Sequence, residues 1–238
     1  MKKVIGKVRA AIEKYEMIKD GTNIAVGVSG GKDSMSLLHA LSVLQRYYPK
    51  KFGLTAIIVD MGFPTTTDWS QVKKFCDDHK VKCVIRETEM YRIIFEERKE
   101  AHPCSLCARM RRGILHNAAL DENCDYIALG HHQDDYVETF FMNLLNNGLL
   151  GSFSPVTYLS RKKLWMIRPL IFCEEKEIAA YARKYELPIM KNKCLVDGFS
   201  ERQNAKILVD TLQRKYPALK QKIVGAIDKG LMNLKDHK

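Results

Sequence analysis

The chain has 238 residues, which is enough for one sizeable core, and no apolar run approaches the roughly 18 residues of a membrane-spanning helix. The net charge is +11, from 39 Lys and Arg against 28 Asp and Glu, and it favours a large anionic partner, nucleic acid first. Seven cysteines without a signal-peptide core predict a cytoplasmic protein that uses cysteine for metal binding or catalysis rather than for disulfides.

The hydrophobic pattern predicts an α/β fold, because strand and helix patterns alternate along the chain. We expect a Rossmann-like, parallel, five-stranded sheet flanked by helices, with a basic amphipathic helix before it and two helices after it. The predicted strands are Asn23–Val28, Leu54–Val59, Val81–Ile85, Tyr126–Leu129 and Leu164–Ile167. The predicted helices are within 1–20, then 35–44, 69–79 with Asp68 as N-cap, 105–120, 136–145, 174–185, 202–213 and 217–235. The chain therefore divides into a basic helix (1–20), a core domain (21–200) and a helical extension (201–238).

Ser29–Ser34, with the sequence SGGKDS, lies between the first predicted strand and a helix. Two glycines let the backbone approach a ligand, and a helix N-terminus offers unpaired N–H groups to an anion. Lys32 adds positive charge. The segment is not a Walker A loop, because Val26 and Asp33 stand where that motif needs Gly and Ser or Thr. We therefore predict a phosphate-binding loop of another kind.

Three polar strand ends are expected to meet at one edge of the sheet: Ser29–Ser34, Asp60–Phe63 and Gly130–Asp135. In parallel sheets ligands bind beyond the carboxyl ends of the strands, so the three segments predict one nucleotide site. Asp60 and His131 are expected to contact the nucleotide. The pair Asp134-Asp135 fits either Mg²⁺ binding or N-capping of the next helix.

Cys104 and Cys107 form a CxxC pattern at a predicted helix start. Thiols three residues apart share a helix face, and the helix N-terminus lowers their pKa. Alone, the pattern fits half of a zinc site with His102 nearby, a redox dithiol, part of an iron–sulfur site or two core cysteines. Cys194 lies in a lysine-flanked loop. The four cysteines expected to be structural are Cys76, Cys83, Cys124 and Cys173.

Four segments in order closely resemble the tRNA 2-thiocytidine synthetases, the TtcA branch of the PP-loop ATP pyrophosphatases. They are Ser29–Ser34, Pro103–Gly113, Ala128–Asp135 and Ile167–Leu170. The resemblance implies that residues 21–200 form a PP-loop ATP-binding catalytic domain that adenylates the C2 carbonyl of a tRNA cytidine, cytidine 32 of the anticodon loop. Sulfur delivered on a [4Fe–4S] cluster would then give 2-thiocytidine, AMP and pyrophosphate. The implied cluster ligands are Cys104, Cys107 and Cys194, the last where the bacterial family usually has a second CxxC.

The same resemblance supplies the remaining site assignments. The implied catalytic residues are Lys32, Arg111 and Asp134. The implied ATP-binding residues, with Mg²⁺ held by Asp33, Asp134 or Asp135, are Ser29, Gly30, Gly31, Lys32, Asp33, Ser34, Asp60, His131, Asp134 and Asp135. The expected partners are tRNA, a sulfur donor (a cysteine desulfurase or sulfide) and a second copy of the chain, with no membrane.

A distributed surface for the phosphates of tRNA is also expected. Its basic residues are those of the N-terminal helix, Arg161–Lys163, Lys191, Lys193 and the C-terminal lysines, with Arg109, Arg111 and Arg112 as a solvated face or further phosphate contacts. Three alternatives stay open. They are a tRNA 2-thiouridine synthetase of the TtuA type, which also uses a single third cysteine, a PP-loop sulfur transferase for a small molecule, and a non-catalytic RNA-binding protein.

Overall fold

The structure, a computed structural model, describes residues 2–100, 103–190 and 201–233. Within them lies one six-stranded sheet of order β3-β2-β1-β4-β6-β5, in which every neighbouring pair is parallel except β5 and β6. This confirms the predicted α/β class. The strands are β1 (Thr22–Val28), β2 (Phe52–Asp60), β3 (Lys82–Glu87), β4 (Tyr126–Ala128), β5 (Val156–Leu159) and β6 (Leu164–Ile167).

The helices follow the predicted pattern with shifted ends, and a π-helical turn over Arg92–Glu97 was not predicted. The helix after β4 begins three residues earlier than expected, because its N-cap, His132, forms a capping box with Asp135 in the first turn. The helices are α1 (Lys2–Lys14), α2 (Lys32–Leu44), α3 (Ser70–Asp78), α4 (Pro103–Asp121), α5 (Gln133–Asn147), α6 (Glu175–Lys184), α7 (Glu201–Lys215) and α8 (Leu219–Asn233).

The prediction of five strands was wrong by one, because β5 escaped the sequence analysis. It is a four-residue strand at the sheet edge, antiparallel to β6, and none of its residues is fully buried. An edge strand of this kind carries only a weak alternation of apolar and polar residues, so its pattern does not stand out.

The sheet is covered on both faces, which explains why the central parts of β1 and β2 are mostly apolar. The larger core includes the inner faces of α1 and α2, and Val8 and Ile12 of α1 are buried in it. The smaller core joins α4 to the other face through Ala25, Ile57 and Ile127. Of the four cysteines expected to be structural, three are buried and Cys83 is partly buried, as predicted.

The strand order places a crevice beside β1. The chain runs outward from β1 to β3 and then returns to the other side of β1 at β4. Ligands of open α/β sheets bind at such a reversal, beyond the carboxyl ends of the two strands. The Ser29–Ser34 segment and the Gly130–Asp135 segment follow these two strands. No helix within the described ranges is long and apolar enough to cross a membrane.

Candidate active site

The Ser29–Ser34 loop is held in shape by its own two hydroxyl groups. The Ser34 hydroxyl accepts a hydrogen bond from Ser29 N at 3.1 Å and donates one to the Gly31 carbonyl at 3.0 Å, and the two serine Oγ atoms lie 3.1 Å apart. Helix α2 begins at Lys32, and its N-cap, Gly31, supplies no side-chain acceptor. The N–H groups of the first turn are therefore available to an anion.

Two glycines allow other segments to pack directly on this loop. Gly30 has φ +80°, and a Cβ there would lie 2.7 Å from Cγ of Met190, whose N donates to the Gly30 carbonyl at 2.9 Å. A Cβ on Gly130 would lie 3.1 Å from backbone atoms of Asp33 and Ser34. The segment after β4 thus contacts the start of α2 backbone to backbone, and any larger residue at position 130 would require this backbone to shift.

A cavity of about 400 Å³ opens at the carboxyl ends of β1 and β4. Five of the predicted ATP-binding residues line it, and α4 closes it with residues that include the predicted Arg111. Gly130 and two residues of α4, Arg112 and His116, were not predicted as site residues. The predicted lining residues are Ser29, Asp33, Ser34, His131 and Asp135.

Lys32 is held by two carboxylates. Its Nζ lies 3.1 Å from Asp33 Oδ2 and 3.0 Å from Glu175 Oε1, and Lys206 Nζ lies 2.7 Å from the other Glu175 oxygen. Partial burial opposes ionisation of Glu175, but the hydrogen bonds from Lys206 and Lys32 outweigh it and lower its pKa to about 2. The sequence analysis missed Glu175, because nothing in the local sequence links α6 to the loop 140 residues earlier.

Three polar atoms of the lining residues are buried without a hydrogen-bond partner among the described residues: Asp33 Oδ1, His116 Nε2 and His131 Nδ1. Buried polar atoms are usually paired, so these three atoms are candidates for contact with a ligand. Burial lowers the pKa of His131 to about 4, and the imidazole is therefore neutral at physiological pH. Asp33 Oδ1 lies 3.7 Å from His132 Nε2, beyond hydrogen-bond distance, and a carboxylate oxygen in this position suits a hard cation such as Mg²⁺.

Comparison with known proteins places these features in a family. Residues 2–194 match the model of the PP-loop domain family. The chain belongs to the PP-loop family. A relative from Geobacter sulfurreducens, a tRNA-cytidine(32) 2-sulfurtransferase, is 36% identical over 229 residues, which cover 95% of this chain and 89% of the relative. One from Dechloromonas aromatica with the same description is 37% identical, covering 93% of this chain and 78% of the relative.

Among solved structures, this PP-loop protein is similar to the U34-tRNA thiolase NcsA from Methanococcus maripaludis, determined with its [4Fe–4S] cluster. The TM-score is 0.78 at 28% sequence identity, and the match covers 96% of this chain and 78% of the thiolase. The resemblance read from the four sequence segments is confirmed by these relatives.

The two acids of the Asp134-Asp135 pair face different ways. Asp135 lines the cavity at the carboxyl ends of β1 and β4, which is called the nucleotide cavity below. Its Oδ2 accepts a hydrogen bond from His132 N at 3.0 Å in the capping box of α5, and its Oδ1 accepts one from Arg202 at 2.7 Å. Asp134 accepts from Glu175 N at 2.7 Å and from Lys220 Nζ at 2.5 Å. Asp134 lines a second cavity, of about 410 Å³, instead of the nucleotide cavity.

Asp60 is the other predicted ATP-binding carboxylate that does not line the nucleotide cavity. Its oxygens accept from Gly62 N at 2.9 Å and from Trp69 Nε1 at 2.5 Å. A Cβ on Gly30 would lie 3.1 Å from the Trp69 ring, so this ring packs against the PP-loop. Asp60 is therefore linked to the PP-loop through the ring of Trp69.

The CxxC pattern lies in the first two turns of α4, the helix that closes the nucleotide cavity. Cys104 is exposed and Cys107 is partly buried, with its Sγ 3.6 Å from Met61 Sδ. Cys194 and His102 lie outside the described residues. Within the described ranges, no three His, Cys, Asp or Glu side chains are grouped to hold a metal ion.

The C-terminal helices contribute three cations to the acids of the PP-loop site. Arg202 and Lys206 of α7 pair with Asp135 and Glu175, and Lys220 of α8 pairs with Asp134. Some of the basic residues that the sequence analysis assigned to a phosphate-binding surface are thus turned inward. The pairs join residues between 31 and 86 positions apart, which no local pattern reveals.

Arg168, from the Ile167–Leu170 segment, is a buried residue that fixes the wall beside His131. Its Nη1 donates to the Ser154 carbonyl at 2.5 Å, and its guanidinium lies 4.9 Å from the centre of the Phe153 ring. The rings of Phe153 and His131 are 5.2 Å apart. Burial lowers the pKa of Arg168 to about 10, which still leaves it charged at neutral pH.

Proposed function

We propose that this protein is an ATP-dependent tRNA thiolase that converts cytidine 32 of the anticodon loop to 2-thiocytidine, with AMP and pyrophosphate as the other products. The curated relatives that carry this activity in their name support the choice of substrate. The observation that carries the proposal is the course of α4. Its first turns bear Cys104 and Cys107, and its middle lines the nucleotide cavity with Arg111 and Arg112.

The first half of the reaction activates the base. The phosphates of ATP bind to the open N–H groups at the start of α2 and to Lys32, and Asp33 supplies an oxygen ligand to Mg²⁺. The C2 carbonyl oxygen attacks the α-phosphorus, an O–P bond forms, and pyrophosphate leaves. Arg111 stabilises the negative charge that develops on the phosphate, because it lines the same cavity.

The second half replaces the activated oxygen by sulfur. A C–S bond forms at carbon 2 while the C–O bond breaks, and AMP leaves with the oxygen. The exposure of Cys104 and its position three residues from Cys107 at a helix start fit two ligands of an iron–sulfur cluster, for which Cys194 is the proposed third. A [4Fe–4S] cluster held there would supply a coordination position for the incoming sulfur. Arg111 follows Cys107 by one helical turn and lines the cavity, so α4 joins the two thiols to the nucleotide site.

For the predicted acids, the contacts favour two kinds of role. Asp33 and Asp135 line the cavity and are proposed to act on ATP and Mg²⁺ directly. Asp134 holds the first N–H of α6 and Lys220, and Asp60 holds Trp69, so both are proposed to position the parts that bind ATP. His131 is neutral and is proposed to donate or accept a hydrogen bond to the nucleotide.

The proposed tRNA surface runs along α4 from the mouth of the nucleotide cavity, where Arg112 lies, to the hairpin tip between β5 and β6. Arg109 and Arg112 are exposed, and neither forms an ion pair within the described part of the chain. Lys162 at the tip donates to Asn117 of α4 at 2.9 Å, so the tip and the helix form one continuous basic surface. Such contacts hold the RNA backbone while a loop base enters the cavity.

The direct test is thiolation by the reconstituted full chain. Unmodified tRNA, ATP, Mg²⁺ and sulfide are incubated with the protein under anaerobic conditions, and nucleosides are measured by mass spectrometry. We expect 2-thiocytidine with the wild type, its loss in Cys104→Ser and in Lys32→Met, and its retention in Cys83→Ser, a matched control because Cys83 lies in β3. Thiolation that persists in Cys104→Ser would contradict the proposal.

A second candidate is 2-thiouridine synthesis, which is favoured by the similarity to the U34-tRNA thiolase. The same assay decides between the two. If 2-thiouridine forms instead of 2-thiocytidine, the chemistry of the site stands and the substrate base is corrected. If ATP is cleaved to AMP and pyrophosphate but no thiolated nucleoside appears in tRNA, the result favours the small-molecule alternative.

A further inference from the structure

The inner part of the nucleotide cavity is an apolar slot between the sheet and α4. Five residues form its walls: Gly27, Ile57, Val59, Leu115 and Leu129. Gly27 lets Leu115 and Leu129 pack directly against β1, because a Cβ there would lie 3.0 Å from Leu115 Cδ2 and 3.2 Å from Leu129 Cδ2. Gly27 precedes the PP-loop by only two positions. The ring of a nucleotide whose phosphates bind the PP-loop would therefore meet these apolar side chains.

His116 is the polar residue of α4 that follows Leu115 at this slot. It is 8% exposed, and its Nε2 is buried with no hydrogen-bond partner among the described residues. Burial lowers the pKa of His116, and the nearby cations Arg112 and Lys162 lower it further, so the imidazole is neutral and one of its nitrogens is an acceptor. A buried acceptor without a partner lowers stability, and a ligand that donates to it recovers the loss.

We propose that Nε2 of His116 accepts a hydrogen bond from the exocyclic amino group of adenine and makes the site selective for adenine nucleotides. This inference rests on the proposed function, in which the cavity holds ATP. A purine with an oxo group at the same position offers an acceptor to an acceptor and is rejected. His116 is then a specificity-determining residue that lies apart from the phosphates and the cysteines.

The test compares ATP with purine riboside 5′-triphosphate, which lacks only the amino group. Binding of both to the full-length protein is measured by calorimetry with Mg²⁺, for the wild type, for His116→Phe and for His79→Phe, a histidine outside the cavity lining. We expect the wild type and His79→Phe to bind ATP roughly 3- to 10-fold more tightly than the analogue. In His116→Phe the two affinities become equal, and the preference for ATP over GTP falls.

The inference is overturned if the wild type binds the two nucleotides equally, a result that needs no variant and no assumption about folding. It is also overturned if His116→Phe still binds ATP more tightly than the analogue, if it weakens the binding of both nucleotides by the same factor, or if it changes only the affinity for tRNA. If no nucleotide binds to the wild type at all, the proposed function itself fails, and this outcome is distinct from the others.

Discussion

The basic residues of α4 and those of the terminal helices look alike in the sequence but have different surroundings in the fold. Arg109, Arg111 and Arg112 form no ion pair within the described residues. In contrast, Lys7 of α1 pairs with Glu177, and Lys220 of α8 pairs with Asp134. Net charge alone therefore does not show where an anionic partner binds. The arginines that are free to bind such a partner lie on α4, the helix that carries Cys104 and Cys107.

The largest expected effect is a loss of stability when an ion pair of the C-terminal helix α8 is broken. Lys220→Met should lower the free energy of unfolding by about 3 kcal/mol, because it leaves the carboxylate of Asp134, 8% exposed, without its cation. Urea denaturation measures the change. Lys222→Met is the control, since Lys222 is an exposed residue of the same helix, and it should change stability by less than about 0.5 kcal/mol. Equal stability of the two variants would show that the α8 pair is not structural.

The next effect is on the pH dependence of stability. Burial opposes ionisation of Glu177, but hydrogen bonds from Lys7, the backbone of Glu174 and Lys3 outweigh it and lower its pKa to about 2. A carboxyl whose pKa is lower in the folded state contributes stability that is full above the unfolded value of about 4.5. That contribution is lost as the pH falls from about 4.5 towards 2. In Glu177→Gln, the loss of unfolding free energy between pH 4.5 and pH 2 should be smaller by on the order of 1–2 kcal/mol, as measured by urea denaturation at each pH. An unchanged pH dependence would contradict the lowered pKa of Glu177.

The α4 side should govern RNA affinity instead. Arg109→Ala combined with Arg112→Ala should weaken binding of unmodified tRNA by roughly 10-fold and reduce the slope of log K against log salt by about 2, because two phosphate contacts disappear. Filter binding over a salt series measures both quantities. The double variant should unfold at the wild-type urea concentration. A salt slope equal to that of the wild type would place the tRNA elsewhere.

The smallest effect is expected at α1. Lys14 pairs with Asp228 at 2.6 Å, and its side chain is 44% exposed. Lys14→Met should cost about 0.5 kcal/mol of stability and leave tRNA affinity at the wild-type value. If it weakens tRNA binding as much as an α4 arginine does, the proposed division between the two groups of basic residues is wrong.

Short-range patterns accounted for most of the fold and pointed to several residues that line the nucleotide cavity. The SGGKDS loop, the CxxC pattern and the alternation of strands and helices each occupy a few neighbouring residues, so the chain itself displays them. The edge strand β5 was missed because a half-exposed strand has no strong periodicity. His116 and Glu175 were missed because their importance comes from burial and from partners, which are not visible in the sequence.

The sequence by itself determined the family, the α/β class and the pairing of a phosphate-binding loop with helix-borne cysteines, since these depend on local composition and spacing. The tertiary structure decided which acidic residues line the cavity and which lysines are engaged in ion pairs within the protein. Asp134 and Asp135 are adjacent, yet Asp135 lines the nucleotide cavity while Asp134 binds the backbone of α6 and a lysine of α8. The physical reason is that successive residues of a helix point about 100° apart, so neighbours in sequence meet different partners.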